Sequence, residues 1–318
     1  MQYTVLGSTG ARVSRICFGA MSFGNEADEH TSAAIFHRCL EAGVNFFDSA
    51  DVYAGARSEE ILGRLIRGRR DELVITSKVG MGKGGNLSRE HILAAVERSL
   101  RRLGTDRIDV YFCHRFDADT SVEQTLEAMD HLVRSGKVVH VGVSNWAAWQ
   151  VALALGHSAL HGWAGIQVLQ PMYNLLKRTA EIEILPLAAD RRLGVITYSP
   201  LAGGILTGKY PGPGQATEGR LKANRMYQAR YREASNFEIA RSLADLAGRW
   251  GVHPATLAVA WVKSHPAVTA PIIGARNVGQ LEPSLAAGDY ELSPQQRAEL
   301  SALTPPVPPH HDRTEAQD

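Results

Sequence analysis

The sequence predicts an α/β protein, a (βα)8 barrel of the TIM type preceded by an N-terminal β-hairpin. Three observations carry this. Eight short runs rich in β-branched and aromatic residues alternate with longer amphipathic stretches. The runs lack the polar alternation of a half-exposed strand, so each reads as buried on both faces, as parallel strands are. The intervening stretches have helical periodicity, and strands joined through helices pair in parallel by crossover connections. An open doubly wound sheet is the competing topology; the count of eight favours closure.

The elements follow in order. YTVLGSTGARV holds two short apolar pieces around Gly7-Ser8-Thr9-Gly10 and predicts a hairpin able to plug the N-terminal mouth. The strand runs are RICFGA (15–20), VNFFDSA (44–50), ELVITSKVG (72–80), IDVYFCHR (108–115), VVHVGVSN (138–145), GIQVLQP (165–171), GVITYSP (194–200) and TAPIIGA (269–275). Ile92, Val96, Leu100 and Leu103 form one helical stripe, and Val122, Leu126, Met129 and Val133 another. Thr120 with Glu123 reads as a capping box, and Gly43, Gly104, Gly136 and Gly194 as helix-closing glycines. Residues 201–235 are Gly- and Pro-rich with little periodicity, which suits a lid or binding loop.

The 318 residues fit one barrel domain over 1–303 and a Pro-rich tail over 304–318, expected to be disordered or extended. In that tail His310 and His311 read as solvated. With 34 basic and 33 acidic residues the net charge is +1, which argues against a nucleic-acid face or a polybasic membrane patch. Cys17, Cys39 and Cys113 form neither a disulfide framework nor a zinc site. No secretory signal and no membrane-length apolar run is present, so a cytoplasmic location is expected.

Three motifs mislead. Gly80-Met-Gly82-Lys-Gly-Gly85 satisfies the dinucleotide fingerprint, but Asp106 and Asp109 fall at the start of the next strand run, the wrong end for a ribose contact. Gly203–Lys209 resembles a P-loop with Tyr210 where a magnesium ligand belongs. Tyr173 and Lys177 have a Y-x-x-x-K spacing, yet Pro171 places them in a strand-exit loop.

In such a barrel, function gathers at the C-terminal ends of the strands. Those ends carry Asp48 with Tyr53 just beyond, Lys78, His114, Ser144-Asn145, Gln170 and Tyr198-Ser199. Ionisable groups in buried runs are costly unless paired, so Asp48 and Lys78 suggest each other as partners. A phenol with a pKa of ~10 is a poor acid near neutrality, and an ammonium beside it lowers that value. Tyr53 is therefore expected to act as a general acid tuned by Lys78, Lys78 to be held by Asp48, and a neutral His114 to orient a carbonyl. This apparatus has no metal cage and no nucleophile, and it fits hydride delivery to a carbonyl from a nicotinamide-type cofactor.

These segments resemble the aldo-keto reductases. FFDSADVYAGARSEEILG is similar to the family segment with the catalytic aspartate and tyrosine, ITSKVG supplies the lysine and VYFCHRFD the histidine. The resemblance implies reversible carbonyl reduction with NADPH/NADP+ bound extended, acting on a small carbonyl substrate. It places Ser144, Asn145 and Gln170 on the nicotinamide carboxamide, Tyr198 stacked on its ring, and Gly19 and Met21 beneath its ribose. Ser199, Leu201 and Gly203 would follow the diphosphate, Arg276 would clamp a 2′-phosphate and Gln280 would reach the adenine side. Relatives commonly read Glu-Asn where Pro283-Ser284 stand. The family also includes potassium-channel β subunits, so a cofactor-binding regulatory barrel with little turnover is the alternative. Phe23, Phe116 and Trp146 are expected to wall a substrate pocket.

Overall fold

A computed structural model describes residues 1–217 and 219–311. Its first element is the expected hairpin, β1 (Tyr3–Val5) antiparallel to β2 (Arg12–Ser14). Eight parallel strands then close into a barrel. They are β3 (Cys17–Gly19), β4 (Phe46–Asp48), β5 (Val74–Val79), β6 (Ile108–Cys113), β7 (Val138–Ser144), β8 (Ile166–Gln170), β9 (Gly194–Thr197) and β10 (Ala270–Ile273). The open-sheet alternative is excluded, because β10 pairs with both β3 and β9. The ladders are shorter than the apolar runs, since the outer residues of each run turn into loops.

The outer layer is built from α1 (Glu29–Glu41), α2 (Arg57–Leu65), α3 (Arg89–Leu103), α4 (Val122–Arg134), α5 (Ala148–His161) and α6 (Ile184–Asp190). It continues with α7 (Gly219–Ala223), α8 (Arg225–Arg230), α9 (Ala234–Trp250), α10 (Pro254–Lys263), α11 (Val278–Ala286) and α12 (Pro294–Ser301). Ile92, Val96, Leu100 and Leu103 of α3 are buried, as their spacing requires. The cap of α4 lies one residue later than expected. Ser121 accepts from the Gln124 amide, while the Thr120 hydroxyl donates to Asp117 instead. Gly104 closes α3 in the left-handed region at φ 62°, and Gly43 and Gly136 adopt positive φ just after α1 and α4. Gly194 closes nothing: it begins β9, and Arg192 takes the positive φ before it. The 201–235 stretch is more regular than its composition suggests, holding a 3-10 turn over Ala202–Thr207, then α7 and α8. Residues 304–311 form no helix or strand, and 312–318 lie outside the described residues.

Side-chain alternation divides the core in two. Phe46, Val110, Phe112, Val168, Ile196 and Ala270 point into the barrel, whereas Phe18, Phe47, Ile75, Tyr111 and Val195 pack against the helices. Leu6 and Val13 of the hairpin belong to the inner cluster, so the hairpin does close the lower mouth. Gly7 makes this possible. Its φ is +56°, and a Cβ there would lie 2.1 Å from the Gly194 nitrogen. Gly7→Ala is expected to destabilise the protein by about 1–3 kcal/mol, through strain and displacement of Leu6, as read by denaturant unfolding.

Candidate active site

The period of two that fills the barrel also builds its upper rim. Asp48 shares a face with Phe46, Lys78 follows Thr76, His114 follows Phe112, and Gln170 follows Val168. Four polar side chains thus cap an apolar column. Asp48 is 2% exposed and Lys78 is wholly buried. Lys78 Nζ donates to Asp48 Oδ2 at 2.6 Å, to the Ser49 carbonyl at 2.7 Å and to the Tyr53 hydroxyl at 3.3 Å. Three acceptors saturate the ammonium and fix its position. Asp48 Oδ1 accepts from Thr76 at 2.6 Å and from Gln170 Nε2 at 2.9 Å, so both carboxylate oxygens are occupied. Burial works against the charged form of Lys78, but Asp48 and Tyr53 outweigh it and raise its pKa.

Tyr53 follows β4 on a strained turn in which Ala54 and Ala56 adopt positive φ. The ring lies over the ammonium, with Lys78 Nζ 4.8 Å from its centroid. Here the structure corrects the expected tuning. Burial pushes the phenol above its ordinary value, and the pull of Lys78 only partly offsets that. Tyr53 accordingly keeps its proton across the neutral range, with the Lys78 ammonium donating to its oxygen.

The His114 ring stands edge-on to Tyr53 with centroids 5.9 Å apart. Its Nδ1 is buried without a protein partner. Burial, reinforced by Lys78, lowers its pKa to about 3, so the imidazole is neutral at pH 7. Between pH 6.5 and 3 the unfolded chain binds the extra proton, and stability is lost as pH falls through that window. His114→Gln should therefore lose less stability than wild type between pH 7 and pH 5 in denaturant titrations.

A second network lies beside the first. Asn145 Nδ2 donates to the His114 carbonyl and to Ser144 Oγ, both at 3.0 Å, and its Oδ1 accepts from the Tyr198 hydroxyl at 2.7 Å. Ser144 Oγ donates to the Gln170 carbonyl at 2.9 Å. Asn145 and Ser199 hold φ near +58° and +59°, unusual for non-glycine residues and a mark of over-determined local structure. A cavity of about 200 Å³ opens here, lined by Asn145, Trp146, Gln170, Met172, Ile184 and Tyr198 among others.

The remaining expected contacts surround the same mouth. Gly19 pairs with Asp48 across β3 and β4, and Met21 lies in the turn after β3. Leu201 and Gly203 lie in the loop after β9, where Tyr227 of α8 packs on Gly203 closely enough that a Cβ would meet its ring at 2.6 Å. Arg276 and Gln280 bond each other at the start of α11, and among the described residues no carboxylate pairs with Arg276. That partly exposed guanidinium beside helix amides fits a phosphate. Together with the Asn145–Tyr198 pair, it suits a nicotinamide cofactor in general. Ser284 is buried and the Pro283 carbonyl accepts from Thr256, so this pair serves α10–α11 packing.

Other sequence signals resolve plainly. Asp109 caps the lower barrel through Arg70 and the Ile75 amide. Tyr173 is buried and donates to Glu181, far from any pairing with Lys177. Phe23 packs on Phe18 in the strand–helix core with no exposure and walls nothing, while Phe116 stacks edge-on to Trp146. Thr76, two residues before Lys78, lies on the same face and donates to Asp48, a position that the alternation of the strand implies. Tyr227, distant in sequence and set in an aperiodic stretch, carried no signal.

A closed parallel barrel with a buried ammonium–carboxylate pair beneath a half-buried phenol at its strand ends fits a carbonyl-acting barrel oxidoreductase. The chain belongs to the aldo/keto reductase family, whose sequence model it matches over residues 15–304. It is 39% identical over 310 residues to a probable voltage-gated potassium channel subunit beta of Arabidopsis thaliana, covering 91% of this chain and 92% of that one. An uncharacterized oxidoreductase, YrpG, of Bacillus subtilis is 37% identical, with 96% of each chain covered. The L-glyceraldehyde 3-phosphate reductase of Escherichia coli K12 is 32% identical, covering 90% of this chain and 87% of that one. The family is one of oxidoreductases acting on small carbonyl compounds, in general with nicotinamide cofactors. Among the described residues no helix is long and apolar enough to cross a membrane.

Proposed function

We propose that this chain reduces aldehydes or ketones to alcohols, reversibly, with NADPH. The observation that carries the reading is the single ammonium of Lys78, held 2.6 Å from Asp48 and 3.3 Å from the Tyr53 hydroxyl. NADPH, when bound, supplies the hydride. Tyr53 gives its proton to the carbonyl oxygen as charge develops there, Lys78 stabilises the phenolate left behind, and Asp48 keeps Lys78 charged and in place. Neutral His114 donates a hydrogen bond that orients the substrate oxygen toward Tyr53. Ser144, Asn145 and Gln170 would hold the carboxamide, Tyr198 the ring, Gly19 and Met21 the ribose, Ser199, Leu201 and Gly203 the diphosphate, and Arg276 with Gln280 the adenosine end. Residues 1–303 would form the catalytic domain. The three buried free thiols suit a reducing, cytoplasmic setting.

NADPH oxidation followed at 340 nm against a panel of aldehydes tests this. The similarity to a potassium-channel β subunit supports a second reading, a cofactor-binding barrel with little turnover. Tight NADPH binding with no oxidation on any carbonyl is the result that would select it. Arg276 sets the cofactor choice. A charge-assisted contact contributes about 1.5–3 kcal/mol, so Arg276→Ala should cut the preference for NADPH over NADH by about 10- to 100-fold, read as a ratio of kcat/KM values.

A further inference from the structure

Away from the barrel mouth, a cleft of about 510 Å³ lies between α2 and the C-terminal half of α3. Five arginines line it: Arg64, Arg67, Arg98, Arg101 and Arg102, with Glu60 as the one acidic side chain. A glycine brings the two helices together. At Gly63 a Cβ would lie 2.4 Å from the Arg102 carbonyl oxygen, so the backbones touch and their arginine faces converge. The whole chain has a net charge of +1, which makes this concentration of one sign a local feature.

Internal partners account for part of it. Arg102 is paired with the buried Glu59 at 2.6 Å, and Arg64 with the exposed Glu29 at 2.7 Å. Helix dipoles account for another part, because Arg64 ends α2 and Arg101 and Arg102 end α3. Arg98 lies a turn earlier and Arg67 lies beyond the end of α2, outside that explanation. Arg67, Arg98 and Arg101 are all exposed, and none has a carboxylate at ion-pair distance among the described residues. These three guanidinium groups face one concavity, and Asp51, which feels Arg98 and Arg102, and Glu60 offset only part of the charge gathered there.

We propose that this cleft is a binding site for a small, multiply charged phosphate compound, a diphosphate or larger. Guanidinium forks match phosphate oxygens two at a time, and the volume falls within the range of small-ligand sites. A diphosphate spans more than one fork, whereas a single phosphate engages fewer. The site is distinct from the barrel mouth. Arg102 also links it to β5, because Glu59 accepts from Arg102 on one oxygen and from Ser77, the neighbour of Lys78, on the other.

Sodium pyrophosphate, titrated calorimetrically into the full chain at physiological ionic strength, is the probe. One saturable site that persists in Arg276→Ala is expected, at least tenfold tighter than for orthophosphate. The variant Arg67→Gln, Arg98→Gln, Arg101→Gln should bind pyrophosphate at least tenfold more weakly, and Arg98→Gln alone about threefold more weakly should the triple variant prove unstable. A control with Arg191→Gln, Arg232→Gln and Arg249→Gln should bind as wild type does, and Arg276→Ala should keep the tight site whatever it loses at the barrel mouth. Absence of a saturable site, equal loss in the control, loss of the tight site through Arg276 alone, or tighter binding of a polyglutamate peptide than of pyrophosphate would each overturn the proposal.

Discussion

Tyr53→Phe is expected to lower the rate of carbonyl reduction by about 10²–10⁴-fold at pH 7, the usual contribution of a positioned general acid. The ring is retained, so its packing against His114 and over Lys78 survives, and only the hydroxyl is lost. Cofactor affinity should change little, because no expected cofactor contact runs through that oxygen. The loss should fall on kcat and kcat/KM together, as it does when an interaction made in the transition state is removed. Steady-state kinetics with fluorescence titration of NADPH separates these quantities. An unchanged kcat would assign the proton to another donor.

The second large effect is structural as well as catalytic. Lys78→Met should destabilise the protein by about 3–5 kcal/mol, because it strands the Asp48 carboxylate in the barrel with only Thr76 and Gln170 to bond it. Adding Asp48→Asn to Lys78→Met should return part of that stability, while activity stays lost. The two effects thereby separate in a double-mutant cycle of unfolding free energies and rates. The raised pKa of Lys78 also fixes the sign of its pH dependence. Its stabilisation is fully present below its unfolded value of ~10.4 and is lost as pH rises through the higher folded value. Wild type should therefore weaken at strongly alkaline pH more steeply than Lys78→Met does.

Much of this arrangement was legible in the chain because two periodicities carry it. The eight apolar runs predicted closure, and the ionisable residues breaking those runs at 48, 78 and 114 marked the rim. The hairpin was legible for the same reason, its Gly-Ser-Thr-Gly turn lying between apolar pieces. What escaped was decided by packing between distant segments. The height of the Tyr53 pKa depends on how completely the phenol is desolvated, which spacing does not encode. Phe23 lies near a strand end yet turns outward into the core, since its neighbour Phe18 offers an apolar surface. The α2–α3 arginine cleft was equally invisible, because a near-neutral total charge averages it away and only the contact at Gly63 assembles it.

Tyr53, backed by Lys78, is proposed to protonate a carbonyl that receives hydride at the barrel mouth. Single-turnover reduction of an aldehyde by NADPH carrying deuterium at the transferable C4 position tests it most directly, with mass analysis of the product and the Tyr53→Phe protein run alongside. Deuterium on the carbinol carbon is expected in the wild-type reaction, with little product from the variant over the same interval. Bound, unoxidised NADPH in the wild type, or equal deuterated product from both proteins, would contradict it.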